Sequence, residues 1–141
     1  MHIYIKDIMQ SKVTMVQGDA TVEEAEILML KTNRRCVPVV NQEQKCLGIV
    51  SYIDILKLRR DRQNLSRILV SEMCSKNIKT VTPHCSMDDN MEMMLEQGVH
   101  HIFVLQDGRV KGIVSVMDMI QINKGVLFNP EEKLGQQFAP H

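Results

Sequence analysis

Apolar positions change period along this chain, and the changes come twice in the same order. Val13–Val16 and Ile78–Thr82 are short β-rich runs. A turn follows each, and then apolar residues recur at helical spacing. These are Val22, Ala25, Leu28 and Met29 in the first case, and Met87, Met91, Met94 and Leu95 in the second. Thr21 with Glu24, and Ser86 with Asp89, mark the helix starts. Their S/T-x-x-D/E spacing lets a hydroxyl satisfy an orphan N–H of the first turn. The helices should stop near Asn33 and Gly98, the two residue types most at ease in a left-handed C-cap. An apolar strand comes next, Cys36–Val40 or Ile102–Leu105, and then a hairpin turn whose clearest signal is Asp107-Gly108. The return strands, Leu47–Val50 and Val110–Val114, feed a further helix. Each unit therefore reads β-α-β-β-α, and the fold class is α+β.

The agreement extends to the letters. Residues 13–40 lie over 78–105 at an offset of 65 without gaps, and one deletion in the hairpin brings LGIVSYIDIL over KGIVSVMDMI at 64. The chain divides into a first unit at 1–62, a linker at 63–70, a second unit at 71–124 and a C-terminal tail at 125–141. Either unit alone, at about 60 residues, would bury too little surface for robust stability, which predicts that the two pack together. The stretch 57–69 carries five basic residues and reads as a solvated helix end and linker rather than a phosphate-binding patch. The tail shows no convincing period, so it is expected either to pack along a neighbouring subunit or to be partly disordered.

Composition narrows the function without naming it. Lys plus Arg equals Asp plus Glu at 17 each, which gives no electrostatic case for nucleic acid or a membrane surface. No apolar run is long enough to cross a bilayer, and the opening MHIYIKDIMQ lacks a signal-peptide core. Cys36, Cys46, Cys74 and Cys85 lack the close spacing of a disulfide or zinc framework. They read as reduced thiols, and the expected compartment is the cytoplasm. With 11 Met and few aromatics, the core should be aliphatic and Met-filled. Neither His84-Cys85 with Cys74, nor His100-His101 with Cys36, has metal-ligand spacing. No nucleophile elbow or Gly-rich phosphate loop marks an enzyme, and no catalytic residue or cofactor is expected.

The repeated GIVSYID (48–54) and GIVSVMD (112–118) admit two readings. Ser51 and Asp54, like Ser115 and Asp118, have capping-box spacing at a strand-to-helix joint, so both copies can be purely structural. A helix N-terminus with free N–H groups and a hydroxyl is also an anion site. A carboxylate one turn in can accept both hydrogen bonds of a ribose diol. Gly48 and Gly112 would permit a backbone bend or the close approach of a ligand.

With Val37-Pro38-Val39-Val40, two G-h-h-S-x-x-D motifs and two β-α-β-β-α units, the chain resembles a tandem pair of CBS domains, the modules named after cystathionine β-synthase. The likeness covers about residues 5–123. It implies two units packed about a pseudo-twofold axis, a CBS pair or Bateman module, with two clefts between them. It further implies an adenosine ligand: AMP, ADP, ATP or S-adenosylmethionine. Asp54 and Asp118 would hold ribose hydroxyls, with Ser51 and Ser115 beside ribose and phosphate. Lys12, Thr14 and Val16, and their counterparts Asn77, Lys79 and Val81, would border adenine. Arg35 and its counterpart His100, with His101 beside it, would reach phosphate. An arginine there offers a permanent charge and a planar fork, whereas a histidine binds anions more strongly as pH falls. The second unit has Phe103 where the first has Pro38, and Cys36 replaces a polar residue found in some phosphate-binding members. The clefts should therefore differ, one of them empty or filled by side chains. The resemblance implies a homodimeric, non-enzymatic sensor acting on an unidentified regulated protein. Its alternative is a ligand-free dimerisation or interaction module.

Overall fold

A computed structural model describes residues 2–127. The elements in order are α1 (Ile5–Ile8), β1 (Val16–Gln17), α2 (Val22–Thr32), β2 (Cys36–Val40), β3 (Cys46–Ser51) and α3 (Tyr52–Arg60). A 3-10 turn at Leu65–Arg67 precedes α4 (Val70–Met73), β4 (Thr80–Val81), α5 (Met87–Gln97), β5 (His101–Gln106), β6 (Arg109–Ser115) and α6 (Val116–Leu127). The expected tail beyond Leu127 lies outside the described residues.

Local chemistry sets the helix limits as expected. Thr21 Oγ1 accepts from Glu24 N at 3.1 Å, and Ser86 Oγ accepts from Asp89 N at 3.1 Å. Asn33 and Gly98 end α2 and α5 with φ of 55° and 66°. Both sheets have three strands, ordered β1-β2-β3 and β4-β5-β6, with the first pair parallel and the second antiparallel. The opening strands are shorter than the β-rich runs suggest, because only Val16–Gln17 and Thr80–Val81 reach a neighbouring strand.

The two halves obey a pseudo-twofold relation. Lys45 forms a bridge with Arg109, its own equivalent at offset 64, so the axis passes between the hairpins. Ile49 exchanges two backbone hydrogen bonds with Ser75, at 2.9 and 2.8 Å, and Ile113 does the same with Gln10, at 2.8 and 3.0 Å.

The cores do not follow the 1–62 and 71–124 division of the chain. Ile5, fully buried, packs in the second unit with Val104, Val114 and Met119. Leu65 and Val70, from the expected linker, pack in the first with Val22, Met29 and Ile55. Ile5 N and Lys6 N donate to Cys85 O and Pro83 O at 2.8 and 2.9 Å; Val70 N and Ser71 N donate to Ala20 O and Gly18 O at 2.9 and 3.1 Å. Each unit thus borrows the segment preceding the other. Gly48 and Gly112 make this crossover fit. A Cβ on Gly48 would stand 2.5 Å from Ser75 O, and one on Gly112 would stand 2.8 Å from Met9 Sδ and 2.9 Å from Gln10 O. What approaches these glycines closely is the protein's own backbone, not a ligand.

Candidate functional site

Each motif sits where a return strand becomes a helix. Ser51 closes β3 and its Oγ accepts from Asp54 N at 3.2 Å; Ser115 closes β6 and accepts from Asp118 N at 3.1 Å. Cys36 lies opposite Ser51, and His101 opposite Ser115. Tyr52 N donates to Arg35 O at 2.8 Å, and Val116 N donates to His100 O at 3.0 Å. Main-chain bonds thereby bring Arg35 and Cys36 to the first Ser–Asp pair, and His100 and His101 to the second. The joint is structural, and the same geometry exposes a helix N-terminus beside a carboxylate.

The carboxylates have different surroundings. Asp118 Oδ2 accepts from Ser115 N at 2.8 Å, and its Oδ1 accepts from Gln10 Nε2 at 3.1 Å. Among the described residues no donor reaches the Asp54 carboxylate; only its backbone N–H is used. Next to it, Cys36 is exposed at the start of β2. Protein around its sulfur, and then the Asp54 charge, push its thiol up to about 11.

Cys36 also lines a recess between the units. Lys12, Thr14 and Arg34 form its polar side, and Val13, Phe103 and Ile113 its apolar side. The space inside it that a water-sized sphere can occupy is only about 10 Å³. Pockets that hold drug-sized ligands run from about 300 to 1,000 Å³, so a nucleotide would have to widen it. Phe103, which stands where the first unit has Pro38, belongs to the second unit yet faces the cleft of the first.

The remaining expected site residues divide plainly. Val16 and Val81 are buried in the two cores, which takes their side chains away from any cleft. Their place in β1 and β4, paired with the central strands, makes them core residues. Asn77, Lys79, His100 and His101 are exposed, as is Arg35. Arg34 rather than Arg35 reaches the recess. Sequence reading missed Arg34, Ile113 and Gln10; the RR pair and the Gln10-for-Ser75 difference were the available signals. No group of three or more His, Cys, Asp or Glu among the described residues could hold a metal. No described helix is long and apolar enough to cross a membrane.

A family model for the CBS domain matches residues 5–61 and again 70–125. The chain belongs to the CBS-domain family. An uncharacterized 17.7 kDa protein of Acidianus ambivalens is 28% identical over 116 residues, covering 82% of this chain and 70% of that one. Among solved structures, CBSX2 in complex with AMP superposes with a TM-score of 0.77 at 18% identity, covering 89% of this chain and 98% of that one. The CBS domain pair of protein MJ0100, in complex with 5′-methylthioadenosine and S-adenosyl-L-methionine, gives 0.73 at 23% identity, covering 89% and 99%. At these identities the likeness concerns the fold. The chain is a tandem CBS pair with two pseudo-symmetric α+β units.

Proposed function

We propose that this CBS pair is a non-catalytic sensor that binds an adenosine nucleotide or S-adenosylmethionine in its first cleft and passes the bound state to a partner protein. The observation that carries the reading is the Asp54 carboxylate, which is beside a helix N-terminus and accepts no hydrogen bond from the described residues. Such a group suits a ribose diol. Lys12 and Arg34 at the adjoining recess suit phosphate or a carboxylate. Two proteins of the same fold hold AMP in one case and methylthioadenosine with S-adenosylmethionine in the other.

The lining supports transmission. Lys12, Arg34 and Cys36 meet Phe103 and Ile113 of the other unit, so a ligand larger than the recess must change how the units meet. A ligand shifts that equilibrium only by its difference in affinity for the two arrangements. Calorimetric titration with AMP, ATP and S-adenosylmethionine tests the proposal: binding of one of them supports it, and none binding at millimolar concentration sinks it.

A second reading, a dimerisation module, has its own observation. Exposed apolar side chains recur at equivalent helix positions: Leu30 with Leu95, Ile53 with Met117, and Leu56 with Ile120. Repeated apolar positions of this kind suit association of two copies into a homodimer. Sedimentation velocity distinguishes dimer from monomer, with or without nucleotide.

A further inference from the structure

Gln10 and Ser75 hold equivalent places in the pseudo-twofold arrangement, each exchanging two backbone hydrogen bonds with a return strand, at Ile113 and Ile49 respectively. Their side chains differ in reach. Gln10 extends its amide to Asp118 Oδ1 at 3.1 Å, while Ser115 N takes Oδ2 at 2.8 Å, so both oxygens of that carboxylate are engaged from within the chain. Ser75 ends one carbon beyond its backbone, and among the described residues nothing donates to the Asp54 carboxylate. An amide N–H presents the same donor that a ribose hydroxyl would. The polar contrast around the clefts runs the same way. Lys12 is matched by Asn77 and Arg34 by Val99, while Thr14 is matched by Lys79, so at these three positions the first cleft has two cations and the second has one.

We infer that Gln10 is a specificity residue: it occupies the Asp118 carboxylate in place of a ribose diol and limits the protein to one nucleotide per chain, bound at Asp54. The inference rests on the nucleotide reading of the first cleft and adds which cleft is used and what closes the other. The side chain of Gln10 is exposed, and its backbone bonds to Ile113 do not need it, so shortening it should leave the fold intact.

The test is calorimetry with AMP and with ATP on the intact protein, on Gln10→Ala, and on the reciprocal Ser75→Gln. The wild type should bind one equivalent. Gln10→Ala should bind a second equivalent, as expected on removing a hydrogen bond that occupies a charged group. Ser75→Gln should weaken the first site about ten-fold, an independent check should Gln10→Ala fail to fold. Two equivalents in the wild type, or one in both wild type and Gln10→Ala, would overturn this inference while leaving the sensor reading standing. No binding by any of the three proteins would overturn both.

Discussion

Gly48 lies so close to Ser75 that a Cβ on it would stand 2.5 Å from the Ser75 carbonyl oxygen and 2.8 Å from Cys74 Sγ. This contact pins the crossover segment of one unit to the return strand of the other, and it explains the first letter of the repeated motif.

Gly48→Ala should therefore destabilise the protein by about 1–3 kcal/mol, the usual cost of overpacking. Gly112→Ala should cost less, because the backbone atom its Cβ would meet, Gln10 O, lies 2.9 Å away rather than 2.5 Å, and its nearest neighbour is the flexible side chain of Met9. Urea denaturation of the two variants checks the order. Equal and negligible effects would contradict the close approach.

The exchange of segments makes a second prediction. Ile5 is fully buried in the core of the second unit, so Ile5→Ala should cost about 2–5 kcal/mol despite lying near the chain start. A fragment beginning at residue 71 should be unfolded, and should gain helical signal when residues 1–12 are supplied as a peptide. Circular dichroism reads both.

Asn90 offers a third. Among the described residues its fully buried Oδ1 has no hydrogen-bond partner, and its Nδ2 meets only the sulfurs of Met94 and Met119 at 3.3 and 3.4 Å. The equivalent residue, Ala25, is also fully buried, so the same fold accepts alanine there. Removing an unpaired buried carbonyl regains about 1–3 kcal/mol, more than the small cavity costs. Asn90→Ala should raise the unfolding free energy by about 1 kcal/mol in urea titration; a loss of that size would contradict the packing described.

Cys36 supplies a pH-dependent prediction. Its raised pKa, about 11 against an ordinary 9.0, favours the neutral thiol in the folded state. The folded state binds the extra proton between those values, so this group's stabilisation is present below pH 9 and falls away as pH rises to 11. At pH 8 its alkylation by iodoacetamide should be about ten-fold slower than that of a free thiol, after allowing for the greater nucleophilicity of a higher-pKa thiolate. Asp54→Asn should speed it by removing the neighbouring charge. Mass spectrometry of the alkylated peptide gives the rates, and an unchanged rate would separate Cys36 from Asp54.

The sequence makes the repeated elements readable because their signals are local. Thr21 with Glu24 and Ser86 with Asp89 announce helices, Asn33 and Gly98 end them, and Asp107-Gly108 forms a turn with φ of 54° and 78°. The short helices α1 and α4 escape such reading because four residues show no period. Their clue is that IKDIMQ (5–10) lies over VSEMCS (70–75) at the same offset of 65, with Asp7 and Glu72 each accepting from a backbone N–H three residues earlier. Where those segments pack was beyond local pattern, since Ile5 meets its partners across the whole chain. For the same reason local pattern leaves Val16 and Val81 open to a ligand, whereas pairing with β2 and β5 commits their side chains to the cores. Sequence order also hides which surface a strand offers its neighbour, so it does not tell that Phe103 lines the recess beside Cys36 of the other unit.

The most direct measurement is isothermal titration of AMP, ATP and S-adenosylmethionine into the wild type, Asp54→Ala and Asp118→Ala. Asp54→Ala should weaken binding at least ten-fold, as the loss of hydrogen bonds to a charged group implies. Its helix cap should survive, because Ser51 Oγ still accepts the backbone N–H at residue 54. Asp118→Ala should leave the affinity unchanged. Binding that Asp54→Ala leaves intact, or that Asp118→Ala abolishes, would contradict the placement of the ligand in the first cleft.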